Sequence, residues 1–307
     1  IAEKILQSKF GKNIFNHYTY VFAGDGCLME GLSHESCSLA GHLNLSKLIV
    51  FFDDNSISID GSTNLTVSDD IIARFKSYNW ETISIDGHDH SSISKAINSA
   101  KKNKKPTLIA CKTKIGFGSP NKESTASSHG SPLGEEEVEI TRKNLNWNAK
   151  SFEIPSDLLK IWRNFYIRNN DNIKNWKKEY KNIKNKNFFN ECFSNNISKE
   201  LKDKIVNFKK IHVKENTNCA TRKASEKSLE IFSESINNLI GGSADLTGSN
   251  NTKTKNMKTI EKNDFDGNYI YYGVREHGMA AIMNGLSLHG GLKVYGGTFL
   301  VFTDYAG

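Results

Sequence analysis

Between residues 18 and 113, short runs of β-branched and aromatic residues alternate with helix-like segments, and no other feature of the chain restricts its fold as much. Residues 18–22, 48–52, 82–85 and 107–110 read as strands. Helices are expected at about 30–43, from a Ser68-Asp69-Asp70 cap to about residue 78, and at 91–102. Strands separated by helices imply βαβ units and a parallel sheet covered on both faces. The expected fold class is therefore α/β, doubly wound, with mostly parallel sheets. Such sheets bind ligands beyond the carboxyl ends of their strands, so chemistry is sought there.

The chain has 307 residues, which suggests two domains of roughly 150 residues each. A second α/β block is expected from 216, with a helix at 221–233, a strand at 269–272, a helix from 276 and a strand near 294. The expected division is 1–145, a helical Asn/Lys-rich linker at 146–215, and 216–307, the last stopping before it closes a full sheet. Ile1 is no initiator and Gly307 ends an apolar, glycine-rich stretch, so both ends read as cut.

Charge points to the linker. The net charge is +7, but residues 142–214 hold 18 Lys and Arg against 7 Asp and Glu, leaving the remainder at −4. The stretch carries Trp162, Phe165, Tyr166 and Trp176 at helical spacings, which favours packed helices over a nucleic-acid stacking platform. No nucleic-acid partner is expected. The longest apolar runs, such as 48–52, fall far short of the ~18 residues of a spanning helix, so no membrane partner is expected either. Five widely spaced cysteines without a CxxC argue against a disulfide framework or zinc site and for a reducing, cytoplasmic compartment.

Gly24-Asp25-Gly26 directly follows the first strand, and Asp53-Asp54-Asn55 ends the next. Glycines permit close backbone approach to a ligand, although the triplet by itself also fits a plain turn. Neighbouring strands lie about 4.8 Å apart, which lets Asp25 and Asn55 reach one ion. Magnesium takes a few protein oxygens and completes its octahedron with phosphate oxygens, so the pair suits a magnesium–diphosphate site.

Gly-Asp-Gly with an Asn closing a strand thirty residues later resembles the thiamine-diphosphate motif, and the surrounding words resemble the transketolase family. They include residues 24–31 (GDGCLMEG), 39–43 (LAGHL), 115–119 (IGFGS), 128–134 (SHGSPLG), 241–247 (GGSADLT), 273–277 (GVREH) and 295–299 (YGGTF). The likeness runs from about residue 22 to 307 and is weakest across the linker. It implies a thiamine-diphosphate-binding fold whose second domain is truncated: a diphosphate-binding domain, the linker and the start of a pyrimidine-binding domain.

The resemblance also implies roles. Asp25 and Asn55 through side chains, and Ile57 through its carbonyl, would hold Mg²⁺, with Ca²⁺ as a possible substitute; Gly26 would touch the diphosphate. Glu276 would be the catalytic carboxyl on N1′ of the aminopyrimidine, acting through the cofactor; without the family words it reads as a helix-start carboxylate. Phe302, in the run Phe299, Phe302, Tyr305, would stack on the pyrimidine, where context-free reading gives core packing. Arg222 and Ser249 would bind the sugar phosphate, Arg by its planar fork. His129 would serve cofactor, substrate and catalysis near the diphosphate, where it could steady charge on a carbonyl oxygen. Glu30 matches a carboxylate that communicates with the catalytic one. His88 and His90 receive no role, for want of a third ligand.

The implied activity is reversible transfer of a two-carbon ketol group from a ketose phosphate to an aldose phosphate through a thiamine-diphosphate adduct, in the non-oxidative pentose phosphate pathway. The implied assembly is a homodimer with active sites at the subunit interface. Alternatives are dihydroxyacetone synthase, deoxyxylulose-phosphate synthase, or a non-catalytic relative. One departure stands out: Ser124, Ala126 and Ser127 occupy positions where the family commonly carries Gly, His and Asp.

Overall fold

The computed structural model describes residues 1–194 and 196–306; Asn195 in the expected linker, Gly307 at the end of the second block and the Tyr305 side chain lie outside the described residues. In chain order the elements begin with α1 (Ala2–Phe10), β1 (Thr19–Gly24), the single turn α2 (Asp25–Met29), α3 (Gly31–His42) and β2 (Leu48–Asp54). A hairpin of β3 (Ile57–Ser58) and β4 (Gly61–Ser62) follows, then α4 (Ile71–Ser77), β5 (Glu81–Asp86), α5 (His90–Ala100), β6 (Thr107–Lys112) and α6 (Glu135–Asn144). The Asn/Lys-rich stretch forms α7 (Ser156–Arg168), α8 (Asn170–Lys181), α9 (Lys186–Cys192) and α10 (Lys199–Lys214). Last come α11 (Thr221–Ser235), β7 (Leu239–Ser243), α12 (Thr247–Asn250), β8 (Tyr269–Tyr271), α13 (Glu276–His289), β9 (Lys293–Val294) and the single turn α14 (Thr303–Ala306).

The chain divides into two compact units, one of Tyr18–His34 and Asn44–Lys181, the other of Ile1–His17, Glu35–Leu43 and Asn182–Gly307. In the first, four parallel strands run in the order β1-β2-β6-β5. The order requires crossovers, which the intervening helices supply. Ile49, Phe51, Ile109 and Cys111 face Ala96 and Ala100 of α5 across one face; each large side chain fully buried there stabilises by roughly 1.5–3 kcal/mol. Asp70 caps α4 by accepting from the Ala73 N–H (2.9 Å), as expected, and Asp89 caps α5 through the N–H groups of Ser91 and Ser92.

Helices form where the aromatic spacing predicts, but the burial expected of their aromatic side chains does not. Trp162 and Phe165 are 80% and 64% exposed, Tyr166 and Trp176 are also exposed, and no residue of α7 or α8 is buried. Trp176 stacks on Tyr180 one turn along its own helix (5.3 Å, 5°). A 3.6-residue period places apolar side chains on one side of a helix; it does not provide a surface to cover them.

The second unit holds a parallel sheet of order β8-β7-β9. Its fully buried central strand β7 has no counterpart among the strands expected from sequence. Gly241 and Gly242 explain why, since glycine is a weak strand former. A Cβ at Gly241 would stand 2.3 Å from the Tyr295 ring, and one at Gly242 would stand 2.2 Å from the Tyr272 ring. The glycines are there because aromatic rings lie on both faces of the strand. Elsewhere in this unit Phe10 and Phe15 pack on Phe188 and Phe189 of α9 (centroids 5.1–6.1 Å), joining α1 to the Asn/Lys-rich stretch. No helix among the described residues is long and apolar enough to cross a membrane.

Candidate active site

In the four-stranded unit the register sets Gly24 beside Asp53 and Asp54 beside Lys112. The carboxyl ends of β1 and β2 therefore finish level, and the next residues of each strand border the same space. A cavity of about 740 Å³ opens there, lined by Asp25, Gly26, Asn55, Ile57, Lys114 and His129 among others. The structure thus brings together Asp25, Gly26, Asn55, Ile57 and His129, five of the residues singled out in the sequence.

Asp25 is buried, yet its Oδ2 has no hydrogen-bond partner. Burial foremost, then the neighbouring Asp54 charge, holds its carboxyl above the usual range; the Ser56 N–H and the more distant Lys112 oppose this. A buried carboxylate oxygen without a partner is costly, and a cation would relieve both the desolvation and the repulsion. The Asn55 side chain is oriented by its own loop: Oδ1 accepts from the Ile57 N–H (3.0 Å) and Nδ2 donates to Asp53 Oδ2 (3.2 Å). Its amide oxygen retains a second lone pair. Ser56 between them has φ 63°, a left-handed bend that turns the chain into β3. One carboxylate, one amide oxygen and one main-chain carbonyl form a hard-oxygen set suited to magnesium or calcium. Among the described residues, no heavy atom beyond the adjoining backbone lies within 4 Å of where a Cβ would stand on Gly24 or Gly26, so the backbone is open on this side. The residues fit a divalent cation with a diphosphate.

The 114–137 segment forms one wall, and the sequence did not reveal how it is held. Glu123 accepts from Lys114 Nζ (2.7 Å) and from the Gly118 N–H (3.0 Å), which lowers its pKa. Glu137 accepts from the Ser119 hydroxyl and from both the N–H (2.9 Å) and Nδ2 (2.8 Å) of Asn121, and these donors pull its carboxyl down. Ser124, where the family commonly has glycine, sits at φ 58° with its N–H on the Ile115 carbonyl (2.8 Å). A left-handed residue explains why glycine suits that position. His129 is exposed. His88 stacks on Phe117 (4.0 Å) and its Nε2 accepts from the Lys114 N–H (3.1 Å), a structural use of that nitrogen.

The other expected residues, Glu30 apart, belong to the second unit. Glu276 is the first residue of α13 and only 7% exposed, where the helix dipole favours a carboxylate. Arg275 before it has no side-chain cap bond; its guanidinium donates to the Tyr272 carbonyl (2.8 Å) and the Ser38 hydroxyl (3.0 Å). Glu35 of α3 accepts from the Gly278 N–H (2.6 Å) and so caps α13 from outside. Sequence reasoning missed Glu35; the only signal was a glycine inside a helix, which usually marks close packing. Phe302 lies in a 3₁₀ turn, its ring 6.1 Å from that of Phe299 at 23°. Arg222 at the start of α11 and Ser249 in α12 are exposed, as is Glu30, which joins α2 to α3.

Comparison with known proteins bears on both units. Residues 1–202 match the family model "Transketolase, thiamine diphosphate binding domain", and residues 217–307 match "Transketolase, pyrimidine binding domain". A transketolase of Buchnera aphidicola subsp. Schizaphis graminum is 50% identical over the whole chain, which covers 47% of that protein. The chain spans about half the length of the curated relatives it matches. Among solved structures, transketolase from Leishmania mexicana superposes with a TM-score of 0.91 at 37% identity, covering 99% of this chain and 46% of that one. A Pichia stipitis transketolase in complex with sedoheptulose 7-phosphate gives 0.85 at 36% identity, covering 99% and 47%.

Proposed function

The chain belongs to the transketolase family, and from that premise we propose that its protein moves a two-carbon ketol unit from a ketose phosphate to an aldose phosphate. The observation that carries this reading is the buried, unpartnered Oδ2 of Asp25 beside Asn55, at the level carboxyl ends of two parallel strands. Within this reading the diphosphate-binding domain takes up 1–145, the linker 146–215 and the pyrimidine-binding domain the remainder.

Asp25, Asn55 and the Ile57 carbonyl would hold Mg²⁺, or Ca²⁺ in its place, and Gly26 would approach the diphosphate through its backbone. Thiamine diphosphate, when bound, supplies a thiazolium carbon that becomes nucleophilic on losing its proton. Glu276 would hold a proton at N1′ of the aminopyrimidine, its burial and helix-start position keeping that carboxyl fixed. Phe302 would wall the ring and exclude water. His129, exposed on the cavity wall, is free to bond a substrate oxygen, while Arg222 and Ser249 would bind the sugar's phosphate. The family likeness supports a homodimer in which Glu276 of the partner subunit completes each site. Free thiols at all five cysteines accord with a reducing, cytoplasmic compartment.

The test is a coupled assay of the full-length protein with Mg²⁺, thiamine diphosphate, xylulose 5-phosphate and ribose 5-phosphate. Turnover is expected, and Asp25→Ala and Glu276→Ala should each abolish it. Inertness toward ribose 5-phosphate with turnover of formaldehyde or pyruvate would replace this reading with one of the other superfamily activities.

A further inference from the structure

Asp25 and Gly26 open α2, a helix of five residues. Helices this short do not hold by themselves in water, and the last carbonyls of any helix lack intrahelical partners. Two of those carbonyls are met by side chains from elsewhere. Ser33 Oγ donates to the Cys27 carbonyl (2.5 Å), and Arg74 Nη2, from α4, donates to the Leu28 carbonyl (2.8 Å). Leu28 is buried, and the Arg74 side chain is only 14% exposed.

The guanidinium is itself held. Nη1 stands 3.1 Å from His34 Nε2 and 3.3 Å from Asp69 Oδ2. Arginine has only donors, so His34 Nε2 accepts. The ring proton of a neutral His34 then lies on Nδ1, 2.9 Å from the Tyr78 hydroxyl. Tyr78, His34 and Arg74 form one chain of bonds ending on the carbonyl end of α2, where a cation also complements the helix dipole. The opposite end of that single turn is Asp25.

We propose that Arg74 is a positioning residue for the metal–diphosphate turn, clamping α2 from its carbonyl end, with His34 and Tyr78 holding the guanidinium in place. The proposal rests on the reading that Asp25 and Gly26 bind Mg²⁺ and the diphosphate. Partners that orient ligands without touching the metal typically cost about 10–100-fold in affinity when removed. Only a planar fork reaches the Leu28 carbonyl and His34 together; lysine offers a single ammonium.

Calorimetric titration of the full-length protein with thiamine diphosphate at fixed Mg²⁺ tests this, with circular dichroism and the thermal midpoint of the cofactor-free protein measured in parallel. Arg74→Met is expected to weaken binding by about tenfold or more and to raise the Mg²⁺ needed for half-saturation. Arg74→Lys should recover part of the loss, and Tyr78→Phe should show a smaller one. Wild-type affinity in folded Arg74→Met overturns the proposal, as does a lowered midpoint with unchanged affinity. If Arg74→Met does not fold, wild-type affinity in both Arg74→Lys and Tyr78→Phe overturns it instead. Asp25→Ala serves as control: wild-type affinity there refutes the reading of the site itself, and the proposal with it.

Discussion

Replacing Glu35 with alanine should loosen the first turn of α13 by about 2 kcal/mol. The first N–H groups of a helix have no intrahelical acceptor, and Arg275 at the cap position supplies no side-chain bond. The Gly278 N–H is satisfied by the Glu35 carboxylate at 2.6 Å, and Gly278 is buried. A hydrogen bond to a charged acceptor contributes ~1.5–3 kcal/mol, and 2 kcal/mol corresponds to roughly 30-fold in local opening. Hydrogen exchange at the Gly278 amide of the full-length protein, resolved by mass spectrometry, should therefore speed up by about that factor. Gly278→Ala sharpens the test. A Cβ there would stand 2.9 Å from Glu35 Oε2 and 3.1 Å from Glu35 Cβ, expelling the carboxylate and losing the same bond, while alanine's helix propensity returns about 1 kcal/mol. Alone it should destabilise by about 1 kcal/mol; in a Glu35→Ala background, where the Cβ of residue 35 remains but no carboxylate is left to expel, it should cost nothing further. Equal effects in both backgrounds, or unchanged exchange in Glu35→Ala, would refute the capping argument.

Glu276→Ala should leave thiamine diphosphate bound but slow exchange of its C2 proton by orders of magnitude, followed by NMR after acid quench; undiminished exchange would remove Glu276 from its proposed role. Alkylation of the folded protein near pH 8, mapped by mass spectrometry, should label Cys27 and Cys219 first, because both are exposed. Burial raises the Cys111 thiol and pushes Cys192 up to about 11, leaving few reactive thiolates at that pH. Since Cys27 lines the cavity, thiamine diphosphate with Mg²⁺ should protect it while leaving Cys219 unchanged.

The strands of the first unit were legible because β-branched runs bounded by polar turns have few other ways to bury themselves. Local chemistry wrote the caps as well: Asp70 bonds a backbone three residues away. The placing of Asp25 and Asn55 on one space also followed from sequence, since adjacent parallel strands joined by a helical crossover must end on the same side. Other features needed the tertiary structure. β7 carries two glycines that only the rings of Tyr272 and Tyr295 explain, and those rings come from the residues just after β8 and β9. The exposed stripe on α7 has the same period as a buried one, so sequence alone predicted a burial that the described residues of α7 do not show. Glu35 reaches Gly278 across 243 residues, and Arg74 reaches Leu28 across 46. Sequence carries period, cap and turn chemistry because these act within a few residues. Which distant donor meets which orphaned carbonyl or N–H is decided only when the elements pack, since one contact depends on the placement of several helices and strands at once.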